Sequence, residues 1–145
     1  MHREGWRVTE EKRCVIPSLP PSVNAIYQII FAQRRVEMKP EVRAWKTKAK
    51  EYVPRLNPMA DSYLVTLDVT FTYNWFFKNG KLRKFDSQNL LKVLIDAVAE
   101  KAGFNDEIVK MGSWNSVHSE EKEQVEVVIK QVTNEEPHGT PNDSE

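Results

Sequence analysis

The sequence predicts a single α+β domain, built on a mixed, largely antiparallel sheet with flanking helices, and three observations carry that expectation. Tyr63 to Phe77 sets Val65, Leu67, Val69, Phe71 and Tyr73 against Leu64, Thr66, Asp68, Thr70 and Thr72, the period-2 pattern of a half-buried strand. Residues 86–103 instead space apolar side chains at helical intervals between Asp86, a good N-cap, and Gly103, a good C′ residue. Strand-like segments at both ends of the chain then require strands and helices to share one core.

The elements follow in order. Trp6 to Ile16 reads as a moderately apolar first strand, ended by the extended loop that Pro17, Pro20 and Pro21 impose. Tyr27 to Phe31 and Arg35 to Met38 flank a short polar break, as in a hairpin. Pro40 and Glu41 fit the first turn of a helix reaching about Tyr52, with Pro54 just past its end. After the long central strand, Asn79-Gly80 signals a turn, and Lys81 to Lys84 lead into the second helix. On that helix Leu90, Leu91, Leu94, Ile95 and Val98 form an apolar arc, while Asp86, Asn89, Lys92 and Asp96 fall on a polar one. Ile108 to Val117 and Val125 to Val132 are expected as two strands around the polar turn Ser119 to Glu123.

Composition bounds the function. The 145 residues include four Trp, four Tyr and six Phe, enough large apolar side chains to exclude global disorder. No apolar run approaches the roughly 20 residues that a bilayer requires, and Met1 to Gly5 carries no apolar targeting segment. Cys14 stands alone, is expected in the core, and fits a reducing cytoplasm. Lys and Arg total 21, as do Asp and Glu, but the balance is uneven. Residues 133–145 hold four acids and no Lys or Arg, and read as a disordered acidic tail. Residues 1–132, the expected domain, therefore carry a surplus of four positive charges. Arg34, Arg35, Lys39, Arg43, Lys46, Lys48 and Lys50 form one cluster, and Lys78, Lys81, Arg83 and Lys84 a second. Each reads either as a solvated face or as a phosphate-binding surface, because local cation density governs counterion release.

The chemistry concentrates at the second helix. Taken alone, Asp86 is a cap and Lys92 with Asp96 an ordinary i,i+4 pair. Against that reading, the basic run leads straight into Asp86, and Asn105-Asp106-Glu107 follows the helix end, where a loop can return a carboxylate to the site. His118 reads as an exposed turn residue, since no Cys or second His is spaced for zinc. Trp45 reads as a packing anchor or a base-stacking group, and Trp75, Phe76 and Phe77 as a dimer face or a wedge into DNA.

Arg83-Lys84-Phe85-Asp86-Ser87-Gln88-Asn89-Leu90-Leu91-Lys92, with the helical Asp96, resembles the signature of RusA-type Holliday junction resolvases. Leu19-Pro20-Pro21-Ser22-Val23-Asn24 and Ala102-Gly103-Phe104-Asn105-Asp106 are similar to two further elements of that family, in the same order. The resemblance implies a homodimeric, Mg²⁺-dependent endonuclease that cuts four-way DNA junctions on opposed strands in recombination and repair, without an organic cofactor. It places metal ligands at Asp86, Gln88 and Asp106, and catalytic groups at Asp86, Lys92 and Asp106. With the cation clusters, it gives Asn24, Arg34, Arg35, Lys46, Lys81, Arg83, Lys84 and Asn89 as the DNA-contacting set. The sequence departs from the family pattern at Gln88, whose amide oxygen can ligate a hard cation but brings no charge. Metal affinity is expected to fall, with Asp96 or Glu107 as the acids that can compensate. The alternatives are a cleavage-deficient junction-binding or architectural DNA protein, and an interaction module without a nucleic-acid role.

Overall fold

The computed structural model describes residues 5–21, 27–30, 33–58, 62–84 and 87–134. Its main sheet contains β1 (Arg7–Ile16), β4 (Tyr63–Tyr73), β5 (Val109–His118) and β6 (Gln124–Thr133), in the spatial order β1-β6-β4-β5. β6 runs antiparallel to both β1 and β4, while β5 is parallel to β4, so the sheet is mixed and largely antiparallel as expected. A separate antiparallel hairpin joins β2 (Tyr27–Ile30) to β3 (Arg35–Met38), turning through Arg34 at φ +51°. The helices are α1 (Pro40–Ala49), extended by a 3₁₀ turn over Lys50–Tyr52, and α2 (Ser87–Ala102).

β5 and β6 do not form the hairpin that their short connection implies. β4 lies between them, and residues 119–123 cross its end, pinned by the Ser119 amide donating to the Tyr73 carbonyl at 3.0 Å. Two strand spacings are only about 10 Å, well within the reach of five extended residues. The parallel partner β5 is instead reached through α2, the crossover that a parallel pair requires. Gly112 on β5 sits so close to β4 that a Cβ there would collide with the Leu67 carbonyl oxygen.

One face of the sheet is buried beneath the helices. Leu67, Val69 and Phe71 of β4 stand in register with Ile129, Val127 and Val125 of β6, Val65 stands opposite Gln131, and α2 covers this face with Leu90, Val93, Leu94, Ala97 and Val98. Leu91 and Ile95, expected within the apolar arc, are only half-buried and border a groove between α2 and β5. Cys14 lies in the core, where burial pushes its thiol up to about 11. α1 buries Val42, Trp45, Lys46 and Ala49, and the Trp45 indole donates to the Ser18 hydroxyl at 3.0 Å, which makes it a packing anchor.

β6 continues to Thr133, fully buried and in register with Tyr63 and Arg7, one residue beyond the expected domain end. The rest of the expected acidic tail, from 135, lies outside the described residues. No helix among the described residues is long and apolar enough to cross a membrane.

Candidate active site

α2 carries the chemistry on one stripe. Gln88, Lys92 and Asp96 fall at i, i+4 and i+8, so they rise about 12 Å along one side of the helix while the apolar side locks onto the sheet. The helix stops at Gly103, whose φ of +97° only glycine adopts without strain. The amides of Gly103 and Phe104 both donate to the Ala99 carbonyl, at 3.0 and 3.1 Å. Asn105 then caps a short 3₁₀ turn over Asp106–Ile108, accepting from the Glu107 amide at 2.9 Å. This sharp reversal brings Asp106 back beside Asp96, within hydrogen-bonding reach. Gln88, Lys92, Asp96 and Asp106 line one pocket of about 360 Å³, walled on its apolar side by Leu91, Ile95 and Val109.

A second acid beside a carboxyl in a partly apolar pocket disfavours its charged form. Burial pushes the Asp96 carboxyl above the ordinary aspartate range; the charge and hydrogen bond of Asp106 raise it further, while Lys46 and Lys92 pull it down. Lys92 is exposed, with its ammonium 6.0 Å from the centre of the Tyr27 ring, so the β2–β3 hairpin borders the pocket. Behind Asp96, the buried Lys46 pairs with Glu100 at 2.7 Å, and Lys50 joins the same carboxylate. The Lys101 ammonium donates to the Lys50 carbonyl at 2.6 Å, binding the end of α1 to the end of α2.

The model of one protein family, endodeoxyribonuclease RusA, matches residues 18–130. The chain belongs to that family. No curated protein matches it. The RusA match begins at Ser18, the partner of Trp45, and covers α1, α2, the 3₁₀ turn and the whole pocket, leaving β1 upstream. Membership makes the chain one of a family of endodeoxyribonucleases, enzymes that cut DNA within a strand.

Of the site residues read from the RusA signature, Gln88, Lys92 and Asp106 share the pocket, whereas Asp86 and Asn24 lie outside the described residues. Of the two compensating acids, Asp96 is in the pocket; Glu107 is exposed and does not line it. Asn89 is half-buried on another side of α2. Arg34 is exposed at the β2–β3 turn, and Arg35 beside it pairs with Glu37. Lys81 and Lys84 are exposed, whereas Arg83 folds back, donating to the Asn74 carbonyl at 3.0 Å and lying 5.8 Å from the Tyr73 ring centre. Lys46, expected on a phosphate-facing surface, is instead buried against Glu100, because it occupies i+4 of the Val42, Trp45, Ala49 stripe. His118 closes β5 half-buried against Trp75 and Phe76, rather than lying exposed in the turn.

Tyr27 and Glu100 were not singled out by the sequence. Tyr27 follows the segment similar to the family's proline-rich element, but nothing in the sequence ties it to Lys92. Glu100 sits at i+4 from Asp96, a spacing that placed it on the same side of the helix. Among the described residues, no three of His, Cys, Asp or Glu converge as a metal would need; the carboxylates of Asp96 and Asp106 are joined there by the amide of Gln88. This donor set is all oxygen, the preference of a hard divalent cation, and it sets two carboxylates of like charge side by side. The residues present therefore fit Mg²⁺.

Proposed function

We propose that this RusA-family chain is a Mg²⁺-dependent endonuclease that resolves four-way DNA junctions in recombination and repair, working as a homodimer that makes paired cuts in opposed strands. The observation that carries the reading is the return of Asp106 to Asp96 beside Lys92, in a pocket of a chain that belongs to a family of endodeoxyribonucleases.

Hydrolysis of a phosphodiester builds negative charge on the non-bridging and leaving oxygens, and the uncatalysed barrier is very high. Asp86, Asp96 and Asp106, with the Gln88 amide oxygen, would hold Mg²⁺, which supplies positive charge at the phosphate when bound. Lys92 presents an ammonium at the pocket mouth and stabilises the leaving oxygen as its charge grows. The Tyr27 ring holds that ammonium in place without neutralising it, as a carboxylate would. Leu91, Ile95 and Val109 keep one side of the pocket apolar, which strengthens every charge interaction within it. Arg34, Lys81 and Lys84 are exposed and hold phosphates flanking the cut, and their contacts position the strand without reading its sequence.

Gln88 favours a second reading, a junction-binding protein that has lost cleavage, because an uncharged amide occupies a position where the family signature carries an acid. Mg²⁺ titrated into the protein with an end-labelled synthetic four-way junction separates the two. Paired, symmetrical nicks that appear with Mg²⁺ and vanish in EDTA support the nuclease. Tight junction binding with no cut at any Mg²⁺ concentration supports the binding protein.

A further inference from the structure

Residues 75–83 form a small hairpin whose aromatic and apolar side chains have no role in the pocket chemistry. Phe76 bridges to Leu82, the Phe77 amide donates to the Lys81 carbonyl at 2.8 Å, and the Arg83 amide donates to the Trp75 carbonyl at 2.7 Å. Its tip is closed by the Gly80 amide donating to the Phe77 carbonyl at 2.9 Å, and Asn79 accepts from the Lys81 amide at the same distance. At its base, His118 accepts from the Trp75 amide at 3.1 Å, and its ring packs against Trp75 and Phe76. The hairpin is thus held in one shape from tip to base.

What it holds out is apolar. Phe76, Phe77 and Leu82 are 43%, 55% and 55% exposed, neighbours across two short strands rather than scattered single residues. Lys78 and Lys81 lie on the same hairpin and Lys84 just past it, exposed and with no ion pair to a described residue. Neither a core nor a salt-bridged surface accounts for rigid, exposed aromatics in one short segment with ammonium groups that have no ion pair among the described residues. Nucleic acid does, because its bases offer apolar faces at the spacing of side chains and its phosphates offer the counter-charge.

We propose that this hairpin is a wedge, with Phe76, Phe77 and Leu82 entering between bases at the branch point of the junction while Lys78, Lys81 and Lys84 hold the phosphates on either side. The inference rests on the branched-DNA reading and deepens it. Side chains that intercalate must first unstack bases, and unstacking is cheapest where pairing is already interrupted, so a wedge turns local weakness in DNA into structural selectivity. In the chain the hairpin ends shortly before Ser87, where α2, the helix that carries Gln88, Lys92 and Asp96, begins.

The test uses the full chain and a four-way junction carrying 2-aminopurine beside the branch, with a matched linear duplex as control, both in EDTA so that no strand is cut. The parent binds the junction more tightly than the duplex and changes the 2-aminopurine fluorescence. Phe76→Ala/Phe77→Ala retains the salt dependence of binding, loses the fluorescence change, and lowers the preference for junction over duplex by about tenfold, the scale expected for losing one base–aromatic stack. Phe77→Trp, which keeps a stacking face, restores both signals. A double-alanine variant with parental fluorescence and parental junction preference overturns the wedge. So does a variant whose main change is dissociation of a dimer in sedimentation, which would make the hairpin a protein contact. A parent that binds junction and duplex equally removes the branched-DNA reading itself, a result distinct from a parent that prefers junctions while the variants do too.

Discussion

Glu100→Gln isolates the charge network behind the pocket. Lys46 is 9% exposed at its side chain and Glu100 is 48% exposed, with 2.7 Å between ammonium and carboxylate. Exposed pairs contribute about 0–1 kcal/mol, and breaking a fully buried one costs about 3–5 kcal/mol. This pair is buried on one side only, so solvent screening of Glu100 brings the expected loss to about 1–2 kcal/mol at pH 7. For a domain of this size that lowers Tm by about 2–8 °C. Burial pushes the Glu100 carboxyl up, but the hydrogen bonds and charges of Lys46 and Lys50 outweigh it and hold the net value below the ordinary glutamate range. A depressed native value stabilises the fold above the unfolded-chain value and is lost as pH falls through the native one, so the gap between parent and variant closes in acid. Thermal melts at pH 7 and pH 3 read both effects. With Glu100 neutral, the Lys46 charge that acts on Asp96 is no longer offset by Glu100, and the Mg²⁺ needed for half-maximal cleavage rises. An unchanged Tm at pH 7, or a deficit of equal size at pH 3, would refute the reasoning.

Four further outcomes are expected. Asp96→Asn and Asp106→Asn each lower junction cleavage by about 100-fold or more while leaving binding in EDTA equal or tighter, since neutralising an acid also removes its repulsion of phosphate; gel shifts alongside cleavage assays check this. Gln88→Asp lowers the Mg²⁺ concentration for half-maximal cleavage by about tenfold, near 1.4 kcal/mol, and an unaltered Mg²⁺ dependence would place Gln88 away from the metal. Cys14 stays unreactive toward a thiol reagent at pH 8 until denaturant is added, because its thiol is pushed up to about 11. The same raised value stabilises the fold fully below the unfolded-chain value near pH 9 and loses about 2–3 kcal/mol as pH rises through 11, a decline that Cys14→Ala removes from alkaline melts.

Local signals were legible wherever one short segment decides the outcome. The alternation from Val65 to Phe71 marks β4, Asn79-Gly80 marks a turn, and Gly103 marks the end of α2. Strand order was not legible, because a polar five-residue connection suits a hairpin as well as it suits a crossing over the end of β4. The site was half legible. Lys92 and Asp96 look like a surface pair when only helix spacing is known, and Asp96 becomes part of the pocket only when the turn at Gly103 folds Asp106 back onto it. Lys46 carried a warning in the sequence itself: it completes the i, i+3, i+4, i+7 stripe of Val42, Trp45 and Ala49, so a run of cations concealed a buried face.

The stripe of Gln88, Lys92 and Asp96 along α2 has a consequence for how this protein tolerates change. The opposite side of the helix is clamped by Val93, Leu94, Ala97 and Val98, each 0–1% exposed, so the three polar groups keep their separations as a rigid rod, while Asp106 is set by the turn after the helix. Catalytic geometry tolerates errors of only a fraction of an ångström. A side chain trimmed beneath the rod, with no contact to DNA, tilts all three groups together. Drift in the core is therefore felt first as a loss of turnover, and the sequence of the hidden side of α2 is constrained by chemistry that it never touches.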